Sequence, residues 1–203
     1  MNVESFTFGP FGTNTYVVSD EQGNAVLIDP ACFYDYERQQ LLKYLSPFGS
    51  HISIVATHGH LDHLWGAKWA CEQWNVPVMI DSADMPMVKA MQTQYNMFGL
   101  QLTAEPFPTD ELKETSFQFS PFRFQLIHTP GHTPGSVCLY LPDERLLFSG
   151  DTLFRCGYGR TDLPGGNTAQ LIDSLRRLAQ LPPDTRVLPG HGEPTVIGDE
   201  RLC

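Results

Sequence analysis

Hydrophobic residues recur along this chain with two different periods. In SFTF and NTYVVS apolar side chains fall at every second position, the spacing of half-buried strands, and the turn-forming DEQGN leads into the apolar run AVLID before Pro30. This predicts a hairpin followed by a core strand. Residues 36–45 switch to helical spacing and stop before Pro47 and Gly49, after which ISIVAT is again an apolar strand. LWGAKWACEQW predicts a helix over 64–74 with Leu64, Ala67, Trp69, Ala70 and Trp74 on its apolar side, and VPVMID the next strand. The methionine-rich residues 82–99 predict a helical stretch that packs as core or interface, or serves as a substrate lid.

The second half repeats the scheme. SFQFS, FRFQLIHT, SVCLYLP and ERLLFSG are expected to be strands, residues 168–181 a helix, and TRVLPG a last strand. No Pro-, Gly- or Ser-rich linker separates the halves, so the expectation is one α/β domain over residues 1–203, with two sheets covered by helices.

With 41% hydrophobic and 18% charged residues, the 203-residue chain has a globular composition. A formal charge of -10 disfavours a nucleic-acid partner, because phosphate binding needs clustered Lys and Arg. No basic segment with an apolar core opens the sequence and no apolar run approaches membrane-spanning length, so a cytoplasmic protein without membrane partners is expected. Cys32, Cys71, Cys138, Cys156 and Cys203 are widely spaced without a CxxC pair, poor material for disulfides or a thiolate site. Cys156 alone sits in a Gly-rich loop beside candidate ligands.

The chemistry concentrates in THGHLDH, directly after the strand ISIVA. His58 and His60 are two apart, so in extended chain both rings leave the same side and can share an ion, while Asp62 and His63 follow where the chain turns. One loop thereby serves two neighbouring cations. Burying several imidazoles with a carboxylate is costly without pairing or metal, and this donor chemistry suits zinc, iron, manganese or nickel. Three further strand ends carry the same residue types: His132 in HTPGHTPGS, Asp151 in LLFSGDTLF and His191 in VLPGHGE. His51 and His128 fall outside this set.

HxHxDH followed by a separate His, Asp and His resembles the metallo-β-lactamase superfamily over nearly the whole chain. THGHLDH, HTPGHTPGS, GDTLF and PGHG look most like its glyoxalase II (hydroxyacylglutathione hydrolase) group. The resemblance implies a four-layer αββα sandwich and two divalent metal ions, zinc first and iron or manganese next. His58, His60 and His132 would hold one ion, Asp62, His63 and His191 the other, with Asp151 bridging and Asp29 supporting the ligand loop from behind. It further implies hydrolysis of a small thioester such as S-lactoylglutathione by a hydroxide held between the ions, with Asp62 and Asp151 as the catalytic carboxylates. In RCGYGRTDLPGG, Arg160 matches a basic position that contacts glutathione in that group, and Tyr158 would pack against the thiol-bearing moiety. An ion pair between Arg160 and Asp162 that shapes the loop is the other reading of those residues.

The sequence ends on HGEPTVIGDERLC, so the carboxy-terminal helical domain of long glyoxalase II proteins is not expected and glutathione dependence stays open. GRTD is also similar to iron-dependent persulfide dioxygenases of the same superfamily, which is the rival enzyme reading. A metal-binding protein without turnover is the reading from a different class.

Overall fold

In a computed structural model of the chain, the described residues are 1–49, 51–112, 116–119 and 121–200. Ser120, the end of the expected strand SFQFS, and Cys203 lie outside them. Two compact units emerge: Met1–Ile80 with Met85–Glu111, and Asp81–Asp84 with Leu112–Cys203.

The first unit is built on strands β1 (Asn2–Phe8), β2 (Thr13–Ser19), β3 (Ala25–Ile28), β4 (Ile52–Val55), β5 (Val78–Ile80) and β6 (Thr109–Glu111), neighbours in that order. The first three are antiparallel and β3 to β6 are parallel. Every residue of β3 is buried, as an apolar parallel strand covered on both faces requires. Helix α1 (Asp35–Leu45) connects β3 to β4, α2 (Ala67–Trp74) connects β4 to β5, and α3 (Met85–Lys89) and α4 (Met91–Met97) precede β6. Leu27, Ile54, Val78 and Ile80 of the sheet share one core with Leu41, Leu45, Ala67 and Ala70 of the helices.

Local chemistry sets the helix ends. The buried Glu37 carboxylate accepts the backbone N–H groups of Phe33 at 2.7 Å and Tyr34 at 3.0 Å, satisfying donors that the first turn of α1 leaves open, and it also takes Gly9 N–H at 2.9 Å. Helix α2 begins at Ala67, three residues later than the periodicity predicts. Residues Leu61–His63 form a 3-10 turn instead, and Gly66 N–H donates to Pro30 O at 2.7 Å rather than into a helix. A Cβ on Gly66 would lie 2.3 Å from Cys32 Sγ, so only glycine permits this approach. Strand β6 was not expected: TDE is polar, largely exposed and at a sheet edge, where no alternation marks it.

The second unit contains β7 (Ser116–Phe119), β8 (Phe122–His128), β9 (Val137–Leu141), β10 (Leu146–Gly150), the small hairpin β11 (Leu153–Phe154) and β12 (Gly157–Tyr158), then β13 (Arg186–Pro189) and β14 (Thr195–Val196). Its main sheet has the order β14-β13-β10-β9-β8-β7, with β10 and β13 its parallel pair. The crossover between those two strands is α5 (Thr168–Leu178), whose Leu171, Leu175 and Leu178 pack with Tyr140, Leu147 and Val187. Asn167 caps its start by accepting Gln170 N–H at 3.1 Å. The helix ends before the predicted residue 181. Leu181 N–H closes a tighter turn onto Leu178 O, and Pro182 disfavours helical backbone before it. Among the described residues no helix is long and apolar enough to cross a membrane.

Candidate metal centre

In the first unit the chain leaves β4 at Val55 and enters an irregular, buried stretch. His58, His60, Asp62 and His63 are 1%, 8%, 8% and 0% exposed, so this imidazole cluster sits inside the protein. Asp29, just past β3 and in the left-handed backbone region at φ 53, anchors it. The Asp29 carboxylate accepts Thr57 N–H at 2.7 Å, the Thr57 hydroxyl at 2.8 Å and His63 Nδ1 at 2.9 Å. A carboxylate acceptor selects the tautomer with the proton on Nδ1 of His63, and in the neutral ring that leaves the Nε2 lone pair available.

That Nε2 lies 3.6 Å from Asp62 Oδ2, which also accepts the Thr13 hydroxyl at 2.7 Å. His58 Nε2 stands 3.1 Å from His60 Nδ1 with the two rings nearly perpendicular, and the His58 and His63 ring centres are 4.2 Å apart. Thr13 and Thr57 were not singled out from sequence. The one signal available was the polar TNT within an otherwise apolar strand, which places buried hydroxyls where a core strand would carry hydrocarbon.

The second unit gathers His132, Asp151 and His191. His132 Nδ1 is 2.7 Å from the Arg160 carbonyl oxygen, again an acceptor only, so its Nε2 is likewise left to face Asp151 Oδ2 at 3.5 Å. His191 Nε2 is also 3.5 Å from Asp151 Oδ2. The loop around His132 is held from several sides. Gly131 accepts Asn167 N–H at 2.7 Å, Pro130 O accepts the Ser174 hydroxyl at 2.8 Å, and the fully buried Asp84 accepts the Thr133 hydroxyl at 2.7 Å and Gly135 N–H at 2.6 Å. Gly159 passes so close that a Cβ there would meet Asp151 O at 1.8 Å and His132 Nδ1 at 3.1 Å.

These spacings suit metal better than direct pairing. Two donors about 2.1 Å from one tetrahedral cation lie about 3.4 Å apart. The 3.6 Å and two 3.5 Å separations match that figure and exceed a good hydrogen bond. Neutral imidazoles with orienting partners on the far nitrogen, next to carboxylates, are the donor set of zinc, iron or manganese sites. Asp29, His58, His60, Asp62 and His63 thus come together in one unit, and His132, Asp151 and His191 in the other.

The residues expected to meet substrate have another disposition. Arg160 directs Nε and Nη2 to the two oxygens of Asp162, each at 2.7 Å, the loop-shaping ion pair that sequence had left open. This pair holds the Asp162 carboxyl down at about 2. Arg160 acts toward His132 through its backbone carbonyl, a role no side-chain pattern announces. Tyr158 is 60% exposed. Cys156 is exposed with φ 57, while burial pushes the thiol of Cys32 up to about 12 and those of Cys71 and Cys138 to about 11. His51 is exposed and His128 Nδ1 faces Asp81 Oδ2 at 3.1 Å, both outside the donor sets.

Residues 8–191 match the family model described as the metallo-beta-lactamase superfamily. The chain belongs to the metallo-β-lactamase superfamily. Its α/β architecture with mixed sheets is the metallo-β-lactamase fold, and the match to a solved B3 metallo-beta-lactamase, BLEG-1, has a TM-score of 0.87 at 33% identity over 98% of this chain and 95% of that one. TTHA1623, solved in a di-iron-bound form, matches with a TM-score of 0.85 at 37% identity over 97% and 96%. Among curated relatives, the probable metallo-hydrolase YqgX of Bacillus subtilis is 34% identical over 95% of this chain and 91% of its own length. The hydroxyacylglutathione hydrolase GloC of Haemophilus influenzae is 31% identical over 99% and 95%. Membership in the metallo-β-lactamase superfamily places the chain among metallo-hydrolases, and its His and Asp sets are groups that could hold a metal ion.

Proposed function

We propose that the chain is a dinuclear, metal-dependent hydrolase of small thioesters of the S-lactoylglutathione type. The observation that carries the reading is the donor chemistry: buried imidazoles whose Nδ1 protons are fixed by Asp29 and by the Arg160 carbonyl, each presenting Nε2 beside a carboxylate. His58, His60 and His132 would hold one cation and Asp62, His63 and His191 the other, with Asp151 shared, and we read residues 1–203 as a single domain. The likeness to GloC supports the thioester class, and a di-iron relative makes iron a candidate beside zinc and manganese.

Bound there, two divalent cations would supply a water acidified toward neutral pH and a Lewis acid for the scissile carbonyl. The chain's own groups do the rest. The Thr13 hydroxyl fixes Asp62 Oδ2, so that carboxylate holds one orientation toward the water it aligns. Asp29 and the Arg160 carbonyl stop two imidazole rings from turning, which keeps the same lone pairs directed inward. Arg160 binds a substrate carboxylate in exchange for Asp162, and the exposed ring of Tyr158 packs on the thiol-bearing part.

Metal analysis paired with two assays tests this. Two metal equivalents per chain and thiol release from S-lactoylglutathione, lost with a chelator and restored by metal, are expected. Oxygen uptake on glutathione persulfide by iron-loaded protein without thioester turnover would establish the dioxygenase reading instead. Tightly held metal with no turnover on thioesters, esters, lactams or persulfides would leave a binding protein.

A further inference from the structure

Gln94 lies in the polar side of the methionine-rich α4, thirty-five residues beyond the ligand loop it touches. Its Oε1 accepts Leu61 N–H at 3.0 Å, and its Nε2 donates to Gly59 O at 3.0 Å and to Met87 O at 3.1 Å. Gly59 and Leu61 are the residues on either side of His60. His60 itself has extended backbone, φ -73 and ψ 149. In extended chain the carbonyl before a residue and the N–H after it point the same way, so one primary amide engages both as a single residue of a neighbouring parallel strand would with its own N–H and C=O. Residues 57–60 lie outside any strand, and Gln94 hydrogen-bonds the peptide groups on either side of His60. The bond to Met87 O ties the amide back to the middle of α3, which fixes its orientation.

We propose that Gln94 is a positioning residue that locks the two peptide units around His60, and thereby sets the affinity for the cation that His58 and His60 serve. This rests on the metal reading above. No other common side chain does the same. Asn is one methylene shorter, Met has neither donor nor acceptor of comparable strength, and Glu keeps the acceptor for Leu61 but sets an oxygen against two carbonyls. The neighbouring Gln92 provides an internal comparison. It uses its amide on Leu102 O, Asn96 and Ala104 N–H, holding an outer segment and leaving the ligand loop alone.

Gln94→Met, Gln94→Glu and Gln92→Met are compared with the wild type by two measurements. In metal-free protein, deuterium uptake at the Leu61 amide rises in Gln94→Met and is unchanged in Gln92→Met and, because its acceptor remains, in Gln94→Glu. In zinc titrations against a chelator, one of two binding steps weakens about 10–100-fold in both Gln94 variants and neither step changes in Gln92→Met. Wild-type protein that binds no divalent cation would overturn the metal reading, and the affinity role of Gln94 with it. Two intact wild-type binding steps that persist unaltered in Gln94→Glu, or Leu61 exchange unaltered in Gln94→Met, would overturn the assignment to Gln94 alone. Should Gln94→Met fail to fold, the affinity comparison in Gln94→Glu decides.

Discussion

Replacing Asp29 with Asn separates the stability of the ligand loop from its metal chemistry. The carboxylate is 1% exposed and makes three hydrogen bonds, two to Thr57 and one to His63 Nδ1. Asn tolerates the left-handed backbone at φ 53, and its oxygen can keep Thr57 N–H. The new NH2 group then faces the Thr57 hydroxyl, which can accept, and His63 Nδ1, which cannot while it carries a proton. The ring is driven to the other tautomer, with the proton on Nε2, where it blocks metal. The stability cost is one weakened contact, about 1–2 kcal/mol, because hydrogen bonds to a charged group are worth about 1.5–3 kcal/mol and only part of that is lost. Loss of such an orienting partner lowers metal affinity about 10–100-fold. Asp29→Ala removes all three acceptors and adds backbone strain, so it costs about 3–5 kcal/mol and confounds the two effects. Urea unfolding of the metal-free protein and chelator competition for the loaded one measure the two quantities. Asp29→Asn that unfolds like wild type and binds both metals equally well would refute the tautomer argument.

Other perturbations follow from single contacts. Gly159→Ala forces its Cβ against Asp151 O and His132, so the loop must shift; overpacking of this kind costs about 1–3 kcal/mol, and the melting temperature and metal stoichiometry should fall together. Alkylation with iodoacetamide at pH 8.5, read by peptide mass mapping, should modify Cys156 and spare Cys32, Cys71 and Cys138 until the protein unfolds, since burial keeps those thiols protonated. Asp162 titrates at about 2 because Arg160 favours its ionised form. Its folded value is depressed, so the pair's contribution is in place above the ordinary carboxylate range and is lost only as pH falls through about 2. Carbon NMR of the Asp162 carboxyl should follow that course, and Arg160→Ala should return the titration to the ordinary range.

The ligand letters were legible because the chemistry needs them close together or at strand ends. HGHLDH crowds imidazole and carboxylate into one short loop, and HTPGH, GD and PGHG each follow an apolar run, so periodicity alone sets them at the ends of strands. The strands β2 to β5 and β8 to β10 and the helices α1 and α5 were legible for the same reason, since burying one face imposes a period. Where another interaction overrode the period, the reading slipped. The period predicts a helix starting at residues 64–66, yet they turn after the 3-10 segment Leu61–His63, because Gly66 lies against Cys32 and donates to Pro30. The edge strand β6 has no apolar face to reveal it.

What the sequence determined by itself is the inventory: which side chains can bind a divalent cation, in what order they come, and that apolar runs carry them to strand ends. Only the tertiary structure decided how each ligand is held. Asp29 reaches His63 across thirty-four positions, Thr13 reaches Asp62 across forty-nine, Gln94 brackets His60 from a helix far along the chain, and the Arg160 carbonyl fixes His132 while its guanidinium turns to Asp162. Those partners are a carboxylate, a hydroxyl, an amide and a backbone carbonyl, groups present throughout any chain. Their meaning comes from the direction in which folding points them, and local sequence carries no record of that direction.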